Sequence, residues 1–475
     1  MRKFGGSGVR RLALSGLVAS LLLGCSVSQD EEVELGRRNA EQVEAQLPLV
    51  RDPIATNYVQ ALGASIARTT TRQDLDWRFR IVDSRQINAF ALPGGFIYVT
   101  RGILPYLDNE AELAGVLGHE IGHVTARHAA QQYTREIGGT VGLIALGVFV
   151  PAAQPFGQAS QQVMGLLFLK YGRDDELQAD GLGVRYAAAG NWDPAGVPGM
   201  LTTLGRLDAA EGDRKGVPNF LSTHPEPLAR VKEIGPAVQQ AKAGKSGFVI
   251  DRGALLAQVD GVIFGDNPAQ GIVRGSTFLH PPLRFRIDFP TGWQAANSPQ
   301  QVVSKAPNAD VYEILQVVSQ PQGTSVEAIG VASMQKAGFR LVRGERTTIA
   351  GLDAHVGEFE GMIERLGEVR SRATHLRHGD GIYMIAGLAA PAVFAQYDAA
   401  FTASQRSFRP LSASEAEAIK PARIALYTVR AGDTWQALAG RSGGGVTGPA
   451  LAAMNHVDAG STPQAGTQIK VVVAG

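Results

Sequence analysis

The sequence predicts an α+β chain of several domains, and three observations carry that prediction. Between about residues 30 and 240 the apolar residues recur mostly at helical spacing, interrupted once by short alternating segments. From 278 to 410 the texture turns strand-rich, and from 424 to 475 it reads strand, helix, helix, strand. A chain of 475 residues that is 44% hydrophobic can give each such unit its own core.

The N-terminus reads as a targeting segment. Arg2, Lys3, Arg10 and Arg11 precede an apolar run over 12–24, and acids begin only at Asp30, which is the order of an export signal. About 13 apolar residues fall short of the roughly 20 that a bilayer-crossing helix needs. The run ends Leu22-Leu23-Gly24-Cys25, which resembles the lipobox of bacterial lipoproteins. That resemblance implies a signal peptide over 1–25, a lipid on Cys25 and a membrane anchor. Ser26 and Val27 carry no acidic retention signal, so the expected location is the periplasmic face of the outer membrane of a Gram-negative bacterium. Cys25 is the only cysteine, which rules out an intramolecular disulfide and a thiolate metal site. Beyond the signal the chain holds 41 basic and 44 acidic residues, a balance that gives no basic surface for nucleic acid.

Taken in order, 31–47 and 53–70 are helix-prone, 77–82 alternates as a strand, and 88–100 (NAFALPGGFIYVT) gives two short strands around Pro93-Gly94-Gly95. Asn109 with Glu112 forms a capping box for a long helix in which Leu113, Val116, Leu117, Glu120, Ile121 and Val124 recur at helical spacing. The apolar, glycine-rich stretches 137–150 and 163–169 are each too short to span a membrane; they are expected as helices over the preceding domain or as a surface resting on lipid or unfolded chain. Helices are expected over 176–189 and 194–207, and 241–277 reads as a linker beginning with a polar, glycine-containing segment. The accessory domain, 278–410, holds strands over 283–289, 312–318 and 345–361 and a helix over 325–338.

The chemistry centres on His119-Glu120-Ile121-Gly122-His123, an HExxH pattern on a predicted helix. Residues four apart share a helical face, so His119 and His123 can present imidazole nitrogens to one zinc ion while Glu120 reaches the water beside it. A catalytic zinc needs a third protein ligand. His128 lies well round a continuing helix from His123 and reads as a structural or surface histidine. Glu176, four residues before Asp180 in ELQAD, is the better candidate, with Asp180 placed to hold a ligand histidine by its other ring nitrogen.

The order NAFALPGG, HEIGH with Arg127-His128, Tyr171-Gly172-Arg173 before ELQAD, then Ser222-Thr223-His224-Pro225 with Arg230, resembles the metallopeptidase family of the CAAX prenyl proteases and HtpX. The likeness covers about 30–240, nearest to the soluble periplasmic branch, and lacks the transmembrane segments of other members. It implies a zincin-type, glutamate-ligated (gluzincin) peptidase domain with one zinc on His119, His123 and Glu176. Glu120 is then the general base, and Asp180 supports a ligand histidine. His224 is expected to approach the metal with Arg230 nearby, and Asn88, Ala89, Phe90 and Ala91 to form an edge strand that binds extended substrate. The implied activity is endopeptidase cleavage of unfolded or misassembled envelope proteins, with the outer-membrane protein assembly machinery as a partner. The rival reading is a lipid-anchored, non-catalytic chaperone or scaffold; a structural zinc would need a closed four-ligand site, and the chain offers no cysteine for one.

The last unit, with Tyr427, Gly432-Asp433-Thr434-Trp435, Met454-Asn455 and Gly466 to Val471, resembles a LysM module of βααβ form. That resemblance implies peptidoglycan as a ligand. Gly443-Gly444-Gly445 and Thr447-Gly448-Pro449 depart from the usual turn, which leaves open a module that only packs on the peptidase.

Overall fold

The computed structural model describes residues 28–132, 171–211, 220–319, 321, 323–364, 366–443 and 445–475. The segment read as an export signal, with Cys25, and the apolar stretches 137–150 and 163–169 lie outside them. Among the described residues no helix is long and apolar enough to cross a membrane.

The first domain begins with α1 (Gln29–Gln46), whose Ser28 cap and Glu31 bond each other's backbone N–H. In α2 (Pro53–Ala67), proline takes the first position and the Asp52 carboxylate accepts from the Ile54 N–H. A three-stranded sheet follows, β1 (Arg78–Val82), β2 (Ala89–Leu92) and β3 (Phe96–Thr100), in the order β1-β3-β2 with β1 parallel to β3. The β2–β3 turn needs positive φ at Gly94 and Gly95, 79° and 94°.

Among the described residues the helices α3 (Glu110–Thr125), α4 (Arg173–Ala189), α5 (Gly196–Glu211), the single turn α6 (Phe220–Thr223) and α7 (Pro227–Lys242) follow. The capping box expected on α3 is half made. The Asn109 side chain accepts from the Glu112 N–H at 3.1 Å, but the Glu112 carboxylate accepts from the Asp108 N–H at 2.8 Å instead of turning back to the cap residue. Every α3 residue from Ala111 to Val124 is buried. Helices α3 and α4 meet backbone to backbone: a Cβ on Gly183 would lie 3.0 Å from the His119 nitrogen, and one on Gly118 3.2 Å from the Gly183 oxygen. Glycine inside a helix costs about 1 kcal/mol; here it lets two polar helix faces come within ligand distance.

The predicted linker over 241–277 needs correction. It contains α8 (Arg252–Val259), whose Leu255, Leu256 and Val259 are buried in the same core as Leu62, Leu113, Val116 and Leu201. The accessory domain then starts earlier than residue 278, at β4 (Ile272–Arg274), followed by β5 (Thr277–His280) and β6 (Phe285–Asp288).

Strands β7 (Gln294–Asn297), β8 (Gln301–Lys305) and β9 (Tyr312–Val317) lead to α9 (Val326–Lys336). Beyond it come β10 (Phe339–Ile349), β11 (Leu352–Ile363), β12 (Gly367–His378), β13 (Gly381–Ala389), α10 (Pro391–Arg406) and β14 (Arg409–Pro410). Seven strands form an antiparallel sheet in the order β10-β11-β12-β13-β9-β8-β7, and β14-β6-β5-β4 form a second sheet. Val326, Ile329 and Met334 of α9 pack with Ile314, Phe359 and Ala386, while Phe278, Phe285 and Phe408 pack with Leu315, Leu376 and Ile385.

Glu313 is fully buried in this sheet, and burial pushes its carboxyl up to about 8, with Ser404 and Gln405 pulling the other way. Its folded value lies above the ordinary 4.5, so between those pH values the native form keeps a proton that the unfolded chain has released, and stability falls as pH rises. Glu313→Gln should flatten that fall, by at most about 1.4 kcal/mol per pH unit. Denaturant unfolding at acidic and mildly alkaline pH measures it; an unaltered slope in the variant would rule out Glu313 as its source.

After α11 (Ala413–Glu417), the last module is β15 (Arg423–Thr428), α12 (Trp435–Gly440), α13 (Gly448–Met454) and β16 (Gln468–Val473), with its strands antiparallel. Thr434 and Thr447 cap the two helices, and Asn455 bonds the Lys470 backbone through both amide atoms. The module is docked on the first domain. The Lys470 ammonium, fully buried, donates to the Leu107 carbonyl at 2.6 Å, His456 Nδ1 lies 3.3 Å from Glu112, and Arg206 pairs with Asp458 at 3.2 Å. Tyr106 and Leu207 belong to the module's apolar core.

Candidate metal centre

Helix α3 places His119 and His123 one turn apart with their Nε2 atoms separated by 3.0 Å. Across the glycine contact, α4 brings Glu176 to 3.5 Å from His123 Nε2 and 3.7 Å from His119 Nε2. The segment leaving α6 supplies His224, whose Nδ1 lies 3.2 Å from His119 Nε2 and 2.9 Å from Glu176 Oε1. All four side chains are buried, and one donor atom from each falls within 4.8 Å of the others. His224 is held flat against Phe220, ring centroids 4.1 Å apart, and the Thr223 hydroxyl beside it donates to the Asn88 side chain.

Behind these donors lies a layer of charge. Asp180 accepts from His119 Nδ1 at 2.9 Å. Arg230, 1% exposed, donates to both Asp180 oxygens at 2.8 and 2.7 Å and reaches Glu176 at 2.6 Å. Burial alone would raise the Glu176 carboxyl, but His224, His123 and His119 outweigh it and hold the group well below the ordinary range. Asp180 is likewise lowered, because its bonds to His119 and Arg230 exceed the cost of burial. Glu120 goes the other way: burial raises it, and His224 and His119 offset only part.

The donor set fits a zinc ion. Because Asp180 takes the His119 Nδ1 proton, His119 turns a bare Nε2 lone pair inward, against another imidazole nitrogen 3.0 Å away. Such lone pairs repel unless a cation lies between them. Neighbouring ligands on a tetrahedral zinc with bonds of about 2.0–2.1 Å sit roughly 3.3 Å apart, close to the spacings here. Both Glu120 oxygens are buried without a hydrogen-bond partner, 3.6 Å or more from the His224 ring nitrogen that faces them, which leaves them free to take a water.

Several expectations need amendment. His128 is neither exposed nor remote: it is buried, and its Nδ1 lies 2.9 Å from His123 Nδ1. Arg230 does lie close to His224, with its guanidinium engaged by Asp180 and Glu176. β2 is an edge strand among the described residues, but Asn88, Ala89, Phe90 and Ala91 are all buried as whole residues. Tyr171 was read only as part of a motif, yet its ring stacks on His123 at 4.0 Å.

Residues 53–237 match the model described as Peptidase family M48, and residues 427–472 match the LysM domain. Over 229 residues the chain is 31% identical to a Beta-barrel assembly-enhancing protease of Yersinia pestis, covering 46% of each chain. It is 30% identical over 232 residues to the Escherichia coli protein of the same name, again 46% of each. A Mitochondrial metalloendopeptidase OMA1 of Schizosaccharomyces pombe is 33% identical over 190 residues, 39% of this chain and 54% of that one. The chain thus spans about half the length of the curated relatives it matches. The four converging donors, His119, His123, Glu176 and His224, all lie within the matched span, and over residues 53–237 the chain is similar to peptidase family M48.

Proposed function

We propose that the chain is a zinc-dependent metalloendopeptidase of the glutamate-ligated zincin type, with metal held by His119, His123 and Glu176. The observation that carries this reading is the convergence of buried imidazole and carboxylate donors beside the unpartnered carboxyl of Glu120. When bound, zinc acidifies water and polarises the scissile carbonyl. Glu120, raised by burial, accepts the proton of the attacking water and returns it to the leaving amine. Asp180 keeps His119 in the tautomer that binds metal, and Arg230 balances the two carboxylates. His224, beside His119 and Glu176, would either close the site at rest or donate to the oxyanion. An extended chain would add to the edge of β2, a mode that selects unfolded segments over particular side chains.

The names of the relatives support cell-envelope protein quality control, with unfolded outer-membrane proteins as substrates and their assembly machinery as partner. The lipid on Cys25 would place the enzyme at the periplasmic face of the outer membrane, and the LysM module would hold peptidoglycan. The full chain purified without its signal should contain one zinc, lose casein cleavage with a chelator, and recover it with added zinc. Cleavage that survives complete metal removal would sink this reading.

A further inference from the structure

The ligand role of His123, which rests on the function proposed above, sets a requirement that Asp180 does not meet. If Nε2 faces the metal, Nδ1 carries the proton and needs an acceptor. The group opposite is neither carboxylate nor carbonyl but the Nδ1 of His128, at 2.9 Å. His128 turns its own Nε2 to Gln178 Oε1, also at 2.9 Å, with Asp175 at 3.7 Å. An amide oxygen only accepts, so His128 is protonated at Nε2, its Nδ1 is bare, and His123 must donate to it. The reverse amide orientation would run every proton the other way and put one on His123 Nε2, where no metal could bind.

The backbone is built for this contact. On an unbroken helix His128 would point well away from His123. Instead α3 stops at Thr125, and Arg127 adopts φ of 60°, a left-handed conformation that costs a non-glycine residue roughly 1–2 kcal/mol. The Arg127 side chain is tied to the buried Glu32 of α1 at 2.6 Å, and the chain folds back so that His128 lies behind His123. Tyr171 closes the other face of His123, stacked at 4.0 Å.

We propose that His128, oriented by Gln178, is a positioning residue that fixes His123 in its zinc-binding tautomer. An imidazole thus does for one ligand what Asp180 does for the other, without adding a second negative charge. The test uses the full chain without its signal and compares His128→Leu, His128→Gln and Gln178→Leu. Zinc affinity is read by competition with a chromophoric chelator, and the His123 tautomer by long-range nitrogen–proton NMR correlations of its ring. His128→Leu should weaken zinc about 10–100-fold and lose the single Nδ1–H form of His123. His128→Gln, whose amide oxygen can accept the same bond, should recover most of the affinity, and Gln178→Leu should mix the tautomers of both histidines. Folded His128→Leu that binds zinc within twofold of wild type overturns the proposal. So does a folded His128→Gln that is no better than the leucine variant, which would mark a packing role. Should His128→Leu fail to fold, the other two variants decide in the same way. A chain that binds zinc with these rankings yet cleaves nothing would retain this role for His128 and overturn only the peptidase reading; a chain that binds no zinc overturns both.

Discussion

Glu120→Gln is expected to lower peptide cleavage by about 10²- to 10⁴-fold, the usual worth of a positioned general base, while the chain keeps one zinc. The two effects separate because Glu120 is not among the converging donors, and its oxygens make no hydrogen bond that the amide would lose. Glutamine has nearly the same shape, so the packing of α3 against α4 is preserved and the variant should melt close to wild type. Parallel measurement of casein cleavage and zinc content checks this. Retained cleavage would remove Glu120 from the reaction; lost zinc would instead make it a ligand.

Arg230→Met should have the largest effect on stability. The guanidinium is buried and satisfies both oxygens of Asp180 and one of Glu176. Its removal leaves two buried carboxylates facing one another across His119, and breaking a buried pair from one side costs about 3–5 kcal/mol. Methionine fills much of the volume, so the loss reports charge rather than a cavity. Denaturant unfolding of metal-free protein should show it, since zinc would otherwise mask part of the deficit by binding the native state. A loss below about 1 kcal/mol would mean that water reaches this layer and screens it.

The parts of the site that were legible in the sequence are those set by local periodicity. His119 and His123 share a face because they are four apart on a helix, and Glu176 and Asp180 repeat the spacing on another. His224 came only from its place in a family pattern, because a short Thr-His-Pro segment has no periodicity to read. The return of His128 could not be read, since it depends on one left-handed residue, Arg127, whose conformation is held from α1 by Glu32. In the fold, α8 was missed because Leu255, Leu256 and Val259 are too few to mark a helix until the core they enter is known. β12 and β13 were not read: Arg370 and Arg372 interrupt the apolar pattern of β12, although Ser371 between them and Ala373, Thr374, His375 and Leu376 beyond them are buried. The strand that holds Lys470 was legible, but the burial of its ammonium was not, since lysine is rarely buried without a partner and its partner is a carbonyl in another domain.

That last contact bears on direction as well as attachment. The Leu107 carbonyl and Glu112 sit just before and within the first turn of the helix that carries His119 and His123, and both are gripped by the C-terminal module. A module hung on a loose tether would let the active site swing through all attitudes while its ligand stayed still. Here the compass bearing of the metal centre is set by whatever the module grips, so an immobile polymer bound there would aim α3 and β2 at one fixed quarter of the surrounding space.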